Sequence, residues 1–124
     1  MRAYYDKMPA KLYRLKQGVC RYVYDIEKHT VDNGDGMPQM TQWSGEEVEV
    51  AEPLTSNRIT QAVIADRWDA DYEQKLINEY NAAKLGLYDD DTAAAKIDAY
   101  EAFLRERAAL KAQIDADCEE LGIA

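Results

Sequence analysis

Few side chains in this 124-residue sequence are of the types that carry out acid–base, nucleophilic or metal chemistry. The single histidine, His29, lies near the end of a polar stretch, and no serine or cysteine stands beside it. A catalytic triad needs three converging groups, and the sequence does not show such convergence. It also contains no glycine-rich phosphate loop, Cys/His metal cluster or nucleophile elbow. We therefore predict that the protein is not an enzyme and uses no cofactor or metal.

Two acidic runs could instead bind a cation. The run at residues 32–36, Asp-Asn-Gly-Asp-Gly, lacks the alternating oxygen ligands and the distal Glu of an EF-hand loop. Its glycines and short polar side chains are typical of a turn between strands. The run at residues 89–91, three aspartates, is typical of the first turn of a helix, where carboxylates complement the helix dipole. Both runs are interpreted as structural, with adventitious cation binding as the alternative.

The two cysteines, Cys20 and Cys118, lie far apart and have no spacing that pairs them. We expect two free thiols that fill space in the core.

Aromatic side chains are more numerous than these reactive groups, since the sequence contains nine tyrosines and two tryptophans. Aromatic side chains on a sheet pack in a core, or form a platform for a ligand or a partner protein. The alternation of residues 19–27 places Tyr22 and Tyr24 on one sheet face. Exposed, adjacent rings there would favour a small ligand- or carbohydrate-binding module, which we keep as the alternative function.

The elements that position these residues change in kind at residues 52–59, Glu-Pro-Leu-Thr-Ser-Asn-Arg-Ile. Before this segment the sequence is typical of short strands joined by glycine turns, and after it of helices. We predict an α+β fold with a β-rich head, residues 1–52, and an α-helical region, residues 53–124, that packs on the head as a single structural unit. The head is a small antiparallel meander of three to four strands. A covering helix and a long C-terminal helical hairpin follow it.

The predicted strands cover residues 11–16, 19–27 and about 40–50. Cys20, Tyr22, Tyr24 and Ile26 share one face of the second strand, and the opposite face is expected to be wetter. Trp43, Val48 and Val50 are the expected buried residues of the third strand. Gly45 within that strand indicates a bulge or a short turn.

Helix signals divide the remaining residues into three segments. Pro53 ends the sheet, and Thr55 or Ser56 offers the first N-cap. Asp69 is a plausible second N-cap, which predicts a break near residues 68–69. Gly86 is expected to end the second helix, and Gly122 the third.

The third helix, about 30 residues and about 45 Å long, exceeds what so small a head can cover. We therefore expect the second and third helices to pair as an antiparallel hairpin, or the last helix to pack on another chain. Its apolar stripe predicts contact with a protein partner or with a second copy in a homo-oligomer. The residues expected to make that contact are Tyr100, Phe103, Leu104, Leu110 and Ile114.

The charge distribution narrows the class of partner. Residues 1–45 carry seven Lys/Arg and five Asp/Glu, a net of +2, whereas residues 46–124 carry eight and nineteen, a net of −11. Acidic helices repel nucleic-acid phosphates and anionic lipids, so we expect neither nucleic acid nor a membrane as partner. Mimicry of nucleic acid by these helices is a third, weaker interpretation. The polar N-terminal residues and the absence of an apolar run of about 18 residues predict neither a signal peptide nor a membrane span.

Segments 8–15, 52–55, 59–68 and 72–83 resemble small uncharacterised proteins of phages and prophages of Bacteroides-type gut bacteria. The C-terminal layout, with Tyr100, Phe103 and residues 115–118, is similar to helical regions of phage tail-associated proteins. This resemblance covers most of the chain but contains no chemical motif. It implies a tail-region structural subunit, an adaptor or a chaperone of fibre assembly. It also implies a location in the virion or the bacterial host cytoplasm.

Overall fold

A computed structural model of the chain describes residues 1–32 and 34–124. In these residues an antiparallel sheet precedes the helices, which confirms the predicted α+β class. The elements are β1 (Arg2–Tyr5), β2 (Leu12–Lys16), β3 (Val19–Val31), β4 (Met40–Ala51), α1 (Ser56–Arg67), α2 (Tyr72–Lys84) and α3 (Asp90–Leu121). Two compact units are formed, residues 1–62 with Ala124 and residues 63–123. They divide within α1, whereas the sequence placed its boundary after Glu52.

The sheet has the strand order β1-β4-β3-β2, and every neighbouring pair is antiparallel. Strands β2, β3 and β4 form the predicted meander. The sequence did not predict β1, because four residues with no apolar–polar alternation give no strand signal. Strands β1 and β2 lie at opposite edges, so residues 6–11 cross from one edge of the sheet to the other.

The register places Tyr22 opposite Val48 and Cys20 opposite Val50 on one face. All four side chains are buried, as the alternation predicted for this face. In the same unit Ile59 of α1 is fully buried.

The opposite face is not simply wet, because Val23 is also fully buried there. The backbone N–H of Val23 donates to the carbonyl of Lys11 (2.8 Å), and Pro9 of the crossing connection is buried. The backbone N–H of Ala10 donates to the hydroxyl of Tyr13 (2.7 Å). Tyr13 pairs with Arg21, which shares the face of Val23, so the connection lies over this face. The sequence predicted one covered and one solvent-exposed face. It did not predict this connection, because the connection crosses the sheet only when β1 lies at the opposite edge from β2.

A bulge interrupts β3, whereas the sequence predicted one at Gly45 in β4. Tyr24 pairs with Glu46 and Glu27 with Ser44, so Asp25 and Ile26 oppose the single residue Gly45. Asp25 adopts a positive φ of 50°, a conformation that aspartate tolerates better than most residues. The extra residue therefore belongs to the facing strand, and Gly45 is the residue that makes room for it.

Trp43 was expected to be buried with Val48 and Val50 but is only half-buried. Its ring lies 5.7 Å from the ammonium nitrogen of Lys28, the residue that it faces in β3. A cation over an indole ring is favourable at a partly solvated site, so Trp43 keeps one side towards water.

The start of α1 follows the prediction, whereas the start of α2 does not. The backbone N–H of Arg58 donates to Oγ1 of Thr55 (3.1 Å), which makes Thr55 the N-cap of α1. The helix stops at Arg67, and the predicted break is present. Asp69 is not the next N-cap, because α2 begins at Tyr72 and its N-cap is Asp71. The backbone carbonyl of Asp69 accepts a hydrogen bond from the N–H of Tyr72 (3.0 Å).

In the second unit α2 and α3 form the predicted antiparallel hairpin. Glu73 of α2 lies 3.7 Å from Arg107 of α3, and Glu79 lies 3.1 Å from Lys96. From Glu73 to Glu79 the chain advances along α2, while the partner residues in α3 run backwards from Arg107 to Lys96. The two helices are therefore antiparallel. Helix α3 ends at Gly122, whose φ of 72° is the left-handed conformation expected of a terminating glycine.

Candidate functional site

The structure buries most of the contact stripe predicted on α3. Phe103, Leu110 and Ile114 are 4%, 8% and 1% exposed, so these three residues are not available to a partner in this conformation. The ring of Phe103 packs edge-on against Trp68 (4.9 Å between centroids). The prediction is therefore corrected for these residues. The chain itself covers them, which the helical periodicity of α3 alone could not reveal.

The other two predicted contact residues lie nearer the surface. Leu104 is 40% exposed, and Tyr100 is half-buried beside Tyr80, with 5.0 Å between their ring centroids. Contact through Leu104 and Tyr100 stays a prediction.

The most exposed apolar side chains of the second unit lie in the turn between α2 and α3. Leu85 is 75% exposed and Leu87 is 71% exposed. The backbone N–H of Gly86 donates to the carbonyl of Ala83 (3.2 Å), and the backbone N–H of Leu87 donates to the carbonyl of Ala82 (3.1 Å). With Gly86 at a φ of 76°, this is a Schellman motif, which fixes the backbone of the turn.

An acidic run follows these leucines after Tyr88. Asp89 is the N-cap of α3, because its Oδ1 accepts a hydrogen bond from the N–H of Thr92 (2.7 Å). This bond lowers the pKa of the Asp89 carboxyl. Asp90 and Asp91 are exposed in the first helical turn. We call residues 85–91, which join two exposed leucines to three aspartates, the hairpin tip.

The first unit contains a segment of opposite charge, formed by β2 and the connection before it. Residues 7–16 contain Lys7, Lys11, Arg14 and Lys16 and no Asp or Glu, a net of +4. Met8 and Leu15 are exposed among them, and β2 is an edge strand of the sheet. We call residues 7–16 the basic edge.

The far ends of β3 and β4 form a two-stranded ribbon. Residues 29–31 pair with residues 40–42, whereas β1 reaches only Trp43 and β2 reaches only Tyr22. Val31, Met37 and Met40 are exposed at this end, which makes it a second apolar surface of the first unit. Asp32 and residues 34–36 of the predicted turn lie here, and Oδ1 of Asp32 accepts a hydrogen bond from the N–H of Gly34 (3.1 Å). Asn33 lies outside the described residues.

The sheet brings His29 to a serine that is fifteen residues away in sequence. His29 Nε2 lies 2.7 Å from Oγ of Ser44, which also accepts a hydrogen bond from Nη2 of Arg2 (3.0 Å). The same guanidinium donates to Oε2 of Glu27 (2.8 Å). Sequence reasoning missed this cluster, since it depends on β1 and on the register between β3 and β4.

This cluster does not have the geometry of a catalytic triad. Ser44 is fully buried, so its hydroxyl is not accessible to a substrate. The carboxylate of Glu27 lies 3.8 Å from Nε2 of His29, the same nitrogen that contacts Ser44. In a triad the acid contacts the other ring nitrogen, where it orients the imidazole. We interpret the cluster as a polar brace between β1 and the two long strands.

A second polar cluster lies on the opposite sheet face. The phenol of Tyr5 donates to Oε1 of Glu47, whose other oxygen lies 3.5 Å from Nε of Arg21. Burial raises the pKa of the Tyr5 hydroxyl, and the hydrogen bond to Glu47 adds to the effect. The phenol therefore keeps its proton and acts as a fixed donor that ties β1 to β4.

The two sheet tyrosines that could have formed a ligand platform are buried. Tyr22 is 0% exposed and Tyr24 is 2% exposed, with stacked rings 5.9 Å apart. The exposed, adjacent rings required by the ligand-binding alternative are therefore not present at this position.

Cys20 and Cys118 are both buried thiols, as predicted. Burial raises the pKa of the Cys20 thiol, and Oε1 of Glu52 at 3.5 Å acts in the same direction.

Within residues 1–32 and 34–124, no group of three or more His, Cys, Asp or Glu side chains is placed to hold a metal ion. No helix in the described part of the chain is long and apolar enough to cross a membrane. No protein-family model, curated protein or solved structure matches the chain.

Proposed function

We propose that this protein is a non-enzymatic interaction subunit that acts as a structural component, an adaptor or an assembly chaperone through protein–protein contacts. The observation that carries the proposal is the pair of exposed leucines, Leu85 and Leu87, in the hairpin tip. Burying apolar surface in an interface releases about 25 cal/mol per Å². Two exposed leucines within one short turn are therefore a favourable centre for a contact.

The backbone of the tip supports the same proposal. Its Schellman hydrogen bonds and the N-cap at Asp89 hold the turn in one conformation before any partner arrives. A preorganised loop loses less conformational entropy on binding than a flexible one, so more of the apolar gain contributes to affinity. The adjacent aspartates favour a partner with basic groups and disfavour an acidic one.

The biological setting rests on the sequence resemblance to phage and prophage proteins. We propose that the contacts are made in a virion or during its assembly, in the tail region.

Site-specific photo-crosslinking tests the interaction role. A photoreactive amino acid at position 87 should crosslink to a protein in the cells that produce the chain. The same group at Asp98, an exposed position on α3, is the matched control. Crosslinking from position 87 and little from position 98 would support the proposal. Equal or no crosslinking from both positions would contradict a contact at the tip.

Mass spectrometry of purified phage particles tests the setting. Presence at a fixed copy number would indicate a virion component. Absence from particles, despite synthesis during infection, would indicate a chaperone or a regulator.

A further inference from the structure

We propose that copies of this chain associate through two different surfaces, with the hairpin tip of one copy bound to the basic edge of the next. This inference rests on the proposed interaction role and names a second copy of the chain as the partner. Its two surfaces, residues 85–91 and residues 7–16, both carry exposed apolar side chains within a region of one charge sign.

The charges of the two surfaces are complementary. The tip carries three aspartates and no Lys or Arg, a net of −3. The edge carries three lysines and one arginine without an acid, a net of +4, although Arg14 shares its charge with Glu52 in an ion pair. Complementary patches accelerate association and fix the register of a contact.

The apolar groups complement one another as well. Leu85 and Leu87 project from the tip, and Met8 and Leu15 are exposed on the edge. Methionine is flexible and polarizable, so it adapts to the shape of an incoming leucine. An apolar centre with a charged surround is the usual anatomy of a specific interface.

Charge also argues against contacts between two identical patches. A tip-to-tip dimer would bring two sets of three carboxylates together, and an edge-to-edge dimer would bring two sets of four cations together. Lysines on an edge strand are a common means of preventing such edge pairing. The contact that both charge patterns favour is therefore tip to edge.

A single tip–edge contact between two copies leaves the other tip and the other edge of that pair free. These can bind each other in a reciprocal two-fold dimer, or bind further copies and produce a ring or an open filament. The expected assembly is therefore a dimer or a larger array.

Sedimentation velocity of charge-reversed chains tests this inference. The first variant combines Asp90→Lys and Asp91→Lys in the tip, and the second combines Lys7→Glu and Lys16→Glu in the edge. All four positions are exposed. The first variant changes the net charge of the tip from −3 to +1 and so opposes it to the basic edge, whereas the second lowers the net charge of the edge from +4 to zero and so removes its attraction for the tip. We therefore expect the self-association of each variant to be at least about tenfold weaker than that of the wild type.

An equimolar mixture of the two variants is the decisive sample. The unchanged tip of the second variant then meets the unchanged edge of the first, whereas the altered tip (+1) and the altered edge (zero) do not attract each other. We therefore expect the mixture to form pairs of unlike chains that are held by one wild-type contact. General loss of folding or non-specific charge repulsion would not recover on mixing.

Matched controls keep the result interpretable. The pair Asp98→Lys and Glu119→Lys makes the same change in net charge as the tip variant, on exposed positions of α3 outside the tip, and should associate like the wild type. Circular dichroism should show that every variant keeps its helices. Because Lys at the start of α3 opposes the helix dipole, Leu87→Ser is a second tip variant that leaves every charge in place and should also weaken association.

Salt provides an independent measurement. Raising the salt from about 0.1 M to about 1 M shortens the Debye length from about 10 Å to about 3 Å, so association of the wild type should weaken.

Two results would overturn the inference. One is a wild-type chain that stays monomeric at its solubility limit, and the other is a mixture of the reversed variants that does not associate. If the chain is monomeric while position 87 still crosslinks to a different protein, the self-association fails and the interaction role stands. If the chain is monomeric and position 87 crosslinks to no protein, the self-association and the interaction role both fail.

Discussion

A Cβ atom on Gly45 would lie 2.8 Å from Cγ1 of Val23, closer than side-chain contacts in proteins normally come. Val23 is fully buried and has a short, branched side chain, so it has little freedom to move away. The bulge at Asp25 and Ile26 opposes Gly45 across the strand pair. The glycine is therefore required by the facing strand.

The first prediction concerns this contact. Gly45→Ala should lower the free energy of unfolding by about 1–3 kcal/mol, because the added methyl overpacks a buried site. Urea unfolding followed by circular dichroism measures the change. A double-mutant cycle with Val23→Ala is the control, since removal of Cγ1 should make Gly45→Ala less costly. Equal costs in both backgrounds would show that the contact with Val23 is not the cause.

The second prediction compares two neighbours on α3. Phe103→Ala should cost about 3–5 kcal/mol of stability, because it leaves a cavity beside Trp68 and Tyr72. Leu104→Ala removes a 40% exposed side chain and should cost under about 1 kcal/mol. Thermal unfolding of the two variants measures the difference. A larger loss of stability for Leu104→Ala would show that Leu104, and not Phe103, lies on the buried face of α3.

The third prediction concerns the brace around Ser44. Ser44→Ala removes the acceptor for Arg2 and the partner of His29, and should cost about 1 kcal/mol in urea unfolding. The matched control is Thr41→Ala, an exposed position on the same strand, which should stay within about 0.5 kcal/mol of the wild type. Equal effects of the two substitutions would argue that the cluster adds nothing to stability.

The fourth prediction is a loss of stability in alkaline solution. The folded state raises the pKa of Cys20, so folded and unfolded chains both keep the thiol proton at neutral pH. Above the ordinary thiol pKa of about 8.5 the unfolded chain ionises first, and the free energy of unfolding should fall as pH rises towards the folded pKa. Unfolding in urea at a series of pH values measures this slope.

The slope has two controls. Cys20→Ala should make it shallower between about pH 8.5 and pH 10, whatever its effect on absolute stability. The pKa of Tyr5 is raised as well, so Tyr5→Phe should alter the slope only above about pH 10, where an ordinary phenol ionises. A Cys20→Ala chain with an unchanged slope below pH 10 would assign the alkaline loss to other groups.

Local signals were sufficient to predict most of the elements. The alternation of residues 19–27 predicted β3, and the caps at Thr55 and Gly86 predicted helix boundaries that the structure confirms. Strand β1 escaped prediction because a four-residue edge strand is stabilised by its neighbour and not by its own pattern. The brace at Ser44 and the cover over Val23 escaped with it, since both require β1.

Local patterns also could not predict which apolar side chains stay exposed on the surface. Helical spacing identified the apolar side chains of α3, but spacing alone cannot say whether the chain or a partner covers them. Folding covered Phe103, Leu110 and Ile114 and left Leu85 and Leu87 exposed at a turn that the sequence marked only by Gly86.

By itself, the sequence determined the α+β class, the change from strands to helices after residue 52 and the separation of charge along the chain. Those properties follow from composition, periodicity and capping, which act over a few neighbouring residues. Only the tertiary structure decided the strand order, the position of the bulge and which apolar residues face water. These depend on contacts between residues far apart in sequence, such as Gly45 with Val23, and no local pattern encodes them.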